Sequence, residues 1–341
     1  MKKIVIGLLL YVQHGYGIEP IGLTNLGNTC YINSTLQCLG AIPELRNYIF
    51  KFSSHDPLTE EFKRMLKSPI AGPKAFVECV SETGIMGKLA INAQQDAAEF
   101  YEKLINKLQP QETIHNLFRI NTKMDTISAS REFKREPVIQ ESTILRIGSQ
   151  FVTKQKGMSI EALIKNYFLI PQEDTIQVER DGVNKEFDIK EKNSGLHLSP
   201  ILVVAVPRFD MEGNKIKTPL WSNMKPLILT DAKKNKHTYN LLGCVLHAGE
   251  TVDSGHYTAV ARYDNEWFYC DDTQVSLQAE SQVGARLSNQ DNFDSYLYFF
   301  RKDFPLTLQQ VADEEKKSHY RGDRIVQKQL PFQRGLADVI E

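Results

Sequence analysis

The chain has 341 residues, with 41 basic and 42 acidic side chains, a formal net charge of -1, and hydrophobic residues at 41%. This globular composition excludes a wholly disordered chain, and the balanced charge argues against a protein that holds nucleic acid through a general basic field. The sequence lacks an apolar run of about 18 residues, so no membrane span is expected in the mature chain.

The first predicted segment is a secretory signal peptide at residues 1–17. Lys2 and Lys3 precede an apolar stretch at 4–12, and small residues follow it. A basic start, a short apolar centre and small residues near a cleavage point are typical of such a peptide, so we expect a secreted chain whose mature form starts near Ile18. The alternative is a buried first strand or helix of a cytoplasmic protein. Because a reactive thiol prefers reducing surroundings, delivery into a host cytosol, as for a secreted bacterial effector, would reconcile export with the chemistry below.

Residues 23–118 are predicted to be mainly helical. Thr29 is placed to start a helix that carries Ile32, Leu36 and Leu39 on one face. The pattern predicts an amphipathic helix with that face toward the core.

The clearest helix of this region is predicted to begin at Asn92 and to end at Pro110. Gln95 stands three residues after Asn92, which is the spacing of a capping box. The apolar residues that recur at helical spacing are Ala97, Phe100, Tyr101, Leu104, Ile105 and Leu108.

Residues 119–195 give mixed signals. Strands are predicted at 142–147 and 175–179, and a short helix is predicted near 159–169. A hairpin turn is predicted at 181–182, where Asp is followed by Gly.

Residues 196–302 are predicted to be β-rich. The nearly unbroken apolar run at 201–206 is typical of a strand that is buried on both faces. Further strands are predicted at 239–246, 256–263, 266–270 and 296–301. The charged residues 304–341 are predicted to form an exposed helix or a loose tail.

The sequence contains five cysteines, at Cys30, Cys38, Cys79, Cys244 and Cys270. No two of them form a C-x-x-C pair, so a zinc ribbon is not expected. An odd and sparse set is a poor disulfide framework, and it is more typical of reduced thiols, one of which is reactive.

Cys30 is the candidate nucleophile. The turn at 27–29 leads into it, and it stands in the first turn of the predicted helix. The positive end of the helix dipole favours the thiolate there, which is the nucleophilic form of a thiol. A lone cysteine is more often a small buried hydrophobic residue, and we assign that role to Cys38, Cys79 and Cys244.

A nucleophilic thiol needs a base, and the base needs a group that orients it. His256 lies where a loop enters a predicted strand, and Asp271 ends the next strand after a turn near residues 264–265. In such a hairpin the start of one strand lies opposite the end of the other, so His256 and Asp271 are predicted neighbours. A carboxylate there would fix the imidazole tautomer and support the imidazolium. The alternative is a surface histidine beside a solvated acidic turn.

Two further residues complete the candidate site. Asn25 precedes Cys30 in the loop that leads to the helix, and its side-chain amide can direct a donor toward the reaction centre, as an oxyanion stabiliser must. The alternative is a turn asparagine that satisfies its own backbone. Gly255, next to His256, would let a substrate backbone pass close by.

The sequence resembles the ubiquitin-specific proteases, a family of cysteine proteases, in motifs that occur in the family's order. The segment at 22–34, GLTNLGNTCYINS, resembles the family's cysteine box, and the segment at 94–100, QQDAAEF, resembles its Q-Q-D-x-x-E-F helix. The segment at 202–209, LVVAVPRF, resembles the L-x-x-x-L-K-R-F strand. Three segments within 246–272 (LHAG, GHYTA and WFYCDD) resemble the histidine box, and the segment at 295–300, SYLYFF, resembles the closing strand.

The resemblance implies a papain-like α+β fold shaped as a hand. The catalytic domain would span residues 18–303, with a thumb at about 22–118, fingers at about 119–195 and a palm at about 196–303. The active site would lie between thumb and palm.

The resemblance also implies a role for each site residue. Cys30 would be the nucleophile, His256 the general base and acid, and Asp271 the third member of the triad. Asn25 would be the oxyanion donor. Asp272 matches an acid or amide that assists the oxyanion or orders the site.

Ubiquitin and ubiquitinated proteins are the partners that the resemblance implies. Asp96 matches a residue that contacts the basic C-terminal tail of ubiquitin, and Gly255 and Tyr257, on either side of His256, are predicted to contact the substrate. No cofactor is expected. The family's fingers often carry two C-x-x-C pairs for zinc, and this chain has none, so reduced and metal-free fingers are expected.

The expected reaction is thiol-dependent hydrolysis of the peptide or isopeptide bond at the C-terminal glycine of ubiquitin, through a thioester. One alternative is a protease for another ubiquitin-like modifier, and a second is a non-catalytic ubiquitin-binding module. A transglutaminase-like acyl transferase and a general papain-class peptidase are further alternatives, but the transglutaminase motifs do not occur in the sequence.

Overall fold

The computed structural model describes residues 19–67, 72–87, 93–128, 135–154, 157–180, 183–210, 212–251, 254–288 and 293–303. The predicted signal peptide, the predicted turn at 181–182, Asn92 and the tail at 304–341 lie outside the described residues.

Helices come first in the described chain and strands dominate after them. In chain order the elements are α1 (Cys30–Gly40), α2 (Pro43–Lys51), α3 (Pro57–Lys67), α4 (Lys74–Glu82), α5 (Ala97–Lys107), α6 (Gln111–Phe118), β1 (Ile120–Ser128), β2 (Val138–Ser142), β3 (Leu145–Arg146), α7 (Ser149–Thr153), β4 (Met158–Ser159), α8 (Ile160–Leu169), β5 (Gln172–Arg180), β6 (Val183–His197), β7 (Ile201–Ala205), β8 (Leu220–Trp221), β9 (Leu227–Thr230), β10 (Lys236–Thr251), β11 (Ser254–Tyr263), β12 (Glu266–Asp271), β13 (Gln274–Gln278), α9 (Glu280–Arg286) and β14 (Asp294–Lys302).

Helix α1 starts at Cys30, as Thr29 predicted, but it is buried on every side instead of on one face. Its polar side chains are buried because they are hydrogen-bonded: Thr35 Oγ1 donates to the carbonyl of Tyr31 (2.7 Å), and Gln37 Nε2 donates to a carbonyl in the preceding loop (2.8 Å). Unpaired polar groups would make such burial costly. These bonds therefore allow α1 to run between the other helices and the sheet.

Helix α5 begins at Ala97, later than the predicted start at Asn92. Asp96 has extended backbone angles (φ -76°, ψ 125°), and its carboxylate accepts a hydrogen bond from Glu99 N at 2.7 Å. An aspartate N-cap satisfies an N–H that has no partner within the helix. The helix therefore starts after Asp96, and Gln95 lies outside it.

Two sheets organise the strands. One has four antiparallel strands in the order β2-β1-β6-β5, and the other has eight strands, with β13-β12-β11-β10-β14-β7-β3 in sequence and β9 paired to β10. The eight-stranded sheet has a core on each face. Val203 and Phe299 belong to the core shared with the helices, whereas Val204 and Tyr298 belong to the opposite one. Strand β7 is buried on both faces, as its apolar run predicted.

The segment predicted as fingers does not stay within the small sheet. The predicted strand at 142–147 is broken, because Ser142 Oγ bonds both the N–H and the carbonyl of Ile144 (3.1 and 2.9 Å). After this turn, β3 pairs in parallel with β7 of the large sheet. Phe151 and Leu163 then pack into the core on the face of the large sheet that carries Val204 and Tyr298.

The hairpin of β11 and β12 is attached to α1 beside its turn and to the loop before α1 at its open end. At its turn, Asp264 and Asn265 both have positive φ (44° and 75°), as a two-residue hairpin turn of type I′ requires, and this is where the turn was predicted. Beside that turn, Tyr263 Oη donates to the carbonyl of Gln37 at 2.7 Å. At the open end, Leu23 N donates to the carbonyl of Asp272 at 2.8 Å. These two hydrogen bonds hold the hairpin against α1 near its turn and against the loop before α1 at its open end.

Candidate active site

Cys30 is the first residue of α1 and is 3% exposed. The N-cap, Thr29, is fully buried, and its hydroxyl accepts from Leu26 N at 2.9 Å instead of capping the helix. The positive end of the helix dipole is therefore directed to the thiol without a side-chain cap between them.

His256 connects Cys30 to Asp271. The imidazole Nε2 lies 2.6 Å from Asp271 Oδ1. The Cys30 side chain is the largest cause that raises the pKa of His256, so the two groups interact directly. Because Asp271 engages Nε2, Nδ1 is the ring nitrogen that remains for Cys30. The predicted proximity of His256 and Asp271 is confirmed, because antiparallel pairing of β11 with β12 brings the two side chains together.

The pKa of His256 is raised from 6.5 to about 9. The interaction with Cys30 is the largest cause, burial opposes it, and the hydrogen bond with Asp271 adds to it. The protonated imidazole is therefore the favoured form of His256 at neutral pH. The protonated His256 imidazole therefore stabilises the folded state. This contribution to the free energy of unfolding is fully present below pH 6.5 and is lost as the pH rises through about 9.

Replacing Cys30 with alanine is expected to lower the pKa of His256, since the largest cause of the upward shift is removed. The imidazole resonances of the wild type and Cys30→Ala, followed by NMR against pH, measure this change. His115 is the internal control, because burial lowers its pKa and Arg119 is the next cause, so its titration should not move. An unchanged His256 titration would show that the thiol does not interact with the imidazole.

Asp272 links the hairpin to α1 and to the loop before it. Its Oδ2 accepts from Asn25 Nδ2 at 2.9 Å, and its Oδ1 accepts from Asn33 Nδ2 at 2.8 Å. Its φ of 48° lies in the left-handed region, which aspartate tolerates better than most residues. This backbone turn presents the Asp272 carboxylate to both amides, directly after Asp271.

Asn25 is held on both sides of its amide. Its Oδ1 accepts from Gly27 N (3.0 Å) and Thr29 N (3.1 Å), while Nδ2 donates to Asp272. The backbone contacts match the turn role that was the alternative for this residue. An amide nitrogen has two N–H donors, so one remains beside the bond to Asp272. The geometry thus combines the turn role with a fixed donor.

Asn33 was not predicted as a site residue. It is 2% exposed, and its amide also approaches the carbonyls of Leu23 and Thr24, both at 3.3 Å. Helical spacing is the signal that points to it, because a residue three positions after Cys30 lies on the same face of α1. Asn33 therefore belongs to the site as the residue that holds Asp272 from the helix.

Replacing Asn33 with alanine is expected to lower the free energy of unfolding by about 1–3 kcal/mol, because the variant loses a buried hydrogen bond to a carboxylate. Urea unfolding measures the change. Ser34→Ala is the matched control on α1, since the hydroxyl of Ser34 donates to a neighbouring carbonyl of the same helix, that of Tyr31, at 3.2 Å. Equal losses in the two variants would contradict a special contribution of Asn33.

Gly255 is exposed beside His256, but the structure gives a reason for glycine within the chain itself. A Cβ at this position would lie 2.2 Å from the carbonyl oxygen of Ala248 and 2.4 Å from Nε2 of His247. The close approach of β10 therefore requires glycine here. A contact between Gly255 and substrate stays a prediction.

Asp96 and Tyr257 lie partly or wholly beneath the surface of the site. Asp96 caps α5 through Oδ1, and its Oδ2 accepts from Tyr296 Oη. Tyr257, on β11, is 6% exposed, and its ring centroid lies 4.6 Å from that of His247. This burial leaves little side-chain surface for the predicted substrate contact.

Among the described residues, His256, Asp271 and Asp272 place three possible metal-ligand atoms within 4.8 Å of one another. His256 and Asp271 are hydrogen-bonded to each other, and Asp272 accepts from the amides of Asn25 and Asn33. We therefore assign Asp271 to the orientation of His256 and Asp272 to the contacts with the two amides.

Comparison with known proteins places this site in a family. The ubiquitin carboxyl-terminal hydrolase family matches residues 21–300. Ubiquitin carboxyl-terminal hydrolase 25 of Arabidopsis thaliana is 27% identical over 328 residues, covering 83% of this chain and 47% of that protein. Ubiquitin carboxyl-terminal hydrolase 36 of Drosophila melanogaster is 25% identical over 328 residues, covering 86% of this chain and 31% of that protein.

Solved structures share the fold. The SAGA DUB module of Ubp8, Sgf11, Sus1 and Sgf73, bound to monoubiquitin, contains a chain that superposes with a TM-score of 0.65 at 18% identity, covering 88% of this chain and 74% of that one. The same module bound to ubiquitin aldehyde gives 0.64 at 18% identity, covering 89% and 76%. The fold is thus the mixed α and β fold of the ubiquitin-specific deubiquitinases.

The chain belongs to the ubiquitin carboxyl-terminal hydrolase family. It spans less than half the length of the relatives named above. Within the described residues, the helices are too short or too polar to cross a membrane.

Proposed function

We propose that the chain is a thiol-dependent deubiquitinase that hydrolyses the peptide or isopeptide bond at the C-terminal glycine of ubiquitin. The observation that carries the proposal is the pairing of His256 with Asp271 at 2.6 Å beside Cys30, the first residue of α1, which is also the largest cause that raises the pKa of His256. Family membership and a fold shared with chains captured on ubiquitin support the same substrate.

The proposed reaction begins when the Cys30 thiolate attacks the carbonyl carbon of the terminal glycine. The oxyanion is held by the free N–H of Asn25 and by the backbone N–H of Cys30. The C–N bond breaks as the His256 imidazolium gives its proton to the leaving lysine amine, which leaves a thioester.

The second half restores the enzyme. His256, now neutral, takes a proton from water, whose oxygen attacks the thioester. The C–S bond breaks, ubiquitin leaves with a free carboxylate, and the thiolate–imidazolium pair is formed again. Asp271 keeps Nε2 protonated throughout, so that Nδ1 always faces the sulfur.

The proposal includes the finer architecture. A papain-like hand with thumb, palm and reduced, zinc-free fingers is supported by the order of the motifs and by the lack of cysteine between residues 119 and 195. Asp96, Gly255 and Tyr257 are proposed to border the path of the ubiquitin tail. Export, followed by action in a host cytosol, is supported by the basic and apolar N-terminal pattern, and a cytoplasmic enzyme is the alternative.

Incubation with a fluorogenic amide of the ubiquitin C-terminus tests the activity. Wild type should release the fluorophore under reducing conditions, and Cys30→Ala should not. Parallel amides of other ubiquitin-like modifiers test the rival substrate class. A wild type that binds ubiquitin but releases no fluorophore would be the non-catalytic binding module.

A further inference from the structure

Lys215 makes three polar contacts that connect the interior to β10. Its Nζ lies 2.9 Å from the carbonyl oxygen of Gly249, 3.0 Å from Glu250 Oε1 and 3.3 Å from Asp294 Oδ2. The first two contacts are hydrogen bonds, and the contact with Asp294 is an ion pair. The Lys215 side chain is 17% exposed and Asp294 is 5% exposed, whereas Glu250 reaches solvent.

The inner end of this connection is anchored. Asp294 Oδ1 lies 3.6 Å from Nη2 of Arg208, whose side chain is 2% exposed. Arg208 donates in addition to the carbonyls of Ser295 and Thr218, both at 3.2 Å. A buried carboxylate between two cations keeps its place, because moving it would leave buried charges without partners.

The outer end of this connection, at Gly249, lies in a segment of β10 whose pairing with β11 is irregular. The pairing of β10 with β11 shifts register after Ala248, which pairs with His256, and it resumes at Thr251 with Ser254. Gly249 and the residue after it lie within this irregularity. Bulges of this kind are common beside active sites and re-aim the strand.

The position of Gly249 is also limited by Ser254 on the neighbouring strand, β11. A Cβ there would lie 2.3 Å from the carbonyl oxygen of Ser254. The two strands thus approach each other closely where β11 leads into His256. A change in the position of Gly249 therefore changes the wall of the cleft directly beside the base.

We propose that Lys215 is a positioning residue of the deubiquitinase reaction. It connects the Gly249 carbonyl to the buried Asp294 and so fixes the wall beside His256 along which the C-terminal tail of ubiquitin lies. The inference rests on the proposed function for the identity of the substrate. It assigns Lys215 to substrate binding and leaves the chemistry to Cys30, His256 and Asp271, which lie on α1, β11 and β12.

The test compares steady-state kinetics on a ubiquitin C-terminal amide. Lys215→Met keeps the length of the side chain and removes its donors, so KM should rise about 10-fold while kcat stays within about twofold. Lys215→Arg, which keeps a cation, should recover part of the loss. Lys74→Met removes an exposed ion pair with Glu78 and is the matched control, expected to leave both parameters unchanged.

Hydrogen exchange provides a readout that does not depend on ubiquitin. The amides of residues 248–251 should exchange faster in Lys215→Met than in wild type, with thermal unfolding as the check that the variant is folded. Alkylation of Cys30 by iodoacetamide should proceed at the wild-type rate. A fall in kcat at constant KM, or unchanged KM and exchange, would overturn the proposal. A wild type that fails to cleave the amide would refute the proposed function instead, while the exchange data would still test the connection.

Discussion

Replacing His256 with alanine is expected to lower kcat on a ubiquitin C-terminal amide by at least about 10⁴-fold. The imidazole has two roles in the proposed cycle. It stabilises the thiolate as its ion-pair partner, and it transfers a proton first to the leaving amine and later from water. Its pKa of about 9 comes first from Cys30, so the two groups act as one unit. Loss of either should therefore cost about as much as loss of both.

His237→Ala is the matched control for this experiment. His237 is also paired with a carboxylate, Asp231, at 3.0 Å, but it lies at the start of β10 and far along the strand from Ala248, which pairs with His256. Its replacement should leave kcat unchanged. A loss of less than about 100-fold for His256→Ala, with the fold intact, would show that another group serves as the base.

Replacing Asn25 with alanine is expected to lower kcat about 10²–10³-fold with little change in KM, because an oxyanion donor acts in the transition state and not in the bound substrate. The amide is held for this purpose by Gly27, Thr29 and Asp272, so its free N–H is preorganised. Steady-state kinetics on the same amide measure the two parameters.

Thr24→Ala is the control for Asn25, because the Thr24 side chain is exposed in the same loop. The Asn25→Ala loop must also remain folded, since Asn25 Oδ1 accepts from two backbone amides. Unfolding by urea separates a loss of loop structure from a loss of the donor. A rise in KM at constant kcat would assign Asn25 to the turn alone.

The sequence predicted those parts of the site that depend on local order. Strand and turn spacing were sufficient to pair His256 with Asp271, because antiparallel pairing is fixed by the hairpin turn. The start of α1 at Cys30 followed from the turn before it. The nearly unbroken apolar run likewise gave β7, and the helical period of apolar residues gave most of the helical region.

What the sequence left open depends on contacts between distant segments. Asn33 looks like an ordinary polar residue until Asp272 is brought against α1 by the hairpin, more than two hundred residues later. The same is true of Lys215, whose acceptors come from β10 and β14. The late start of α5 was missed for a local reason, because Asp96 competes with Asn92 as the cap.

Covalent capture by ubiquitin that carries a C-terminal electrophile tests the central assignment most directly. We expect one adduct, mapped by mass spectrometry to Cys30, and none in Cys30→Ala. Cys79 is half-buried and the other three cysteines are buried, so the intact protein offers an internal comparison of five thiols. An adduct at Cys79, or capture that survives Cys30→Ala, would contradict a nucleophile at the N-terminus of α1.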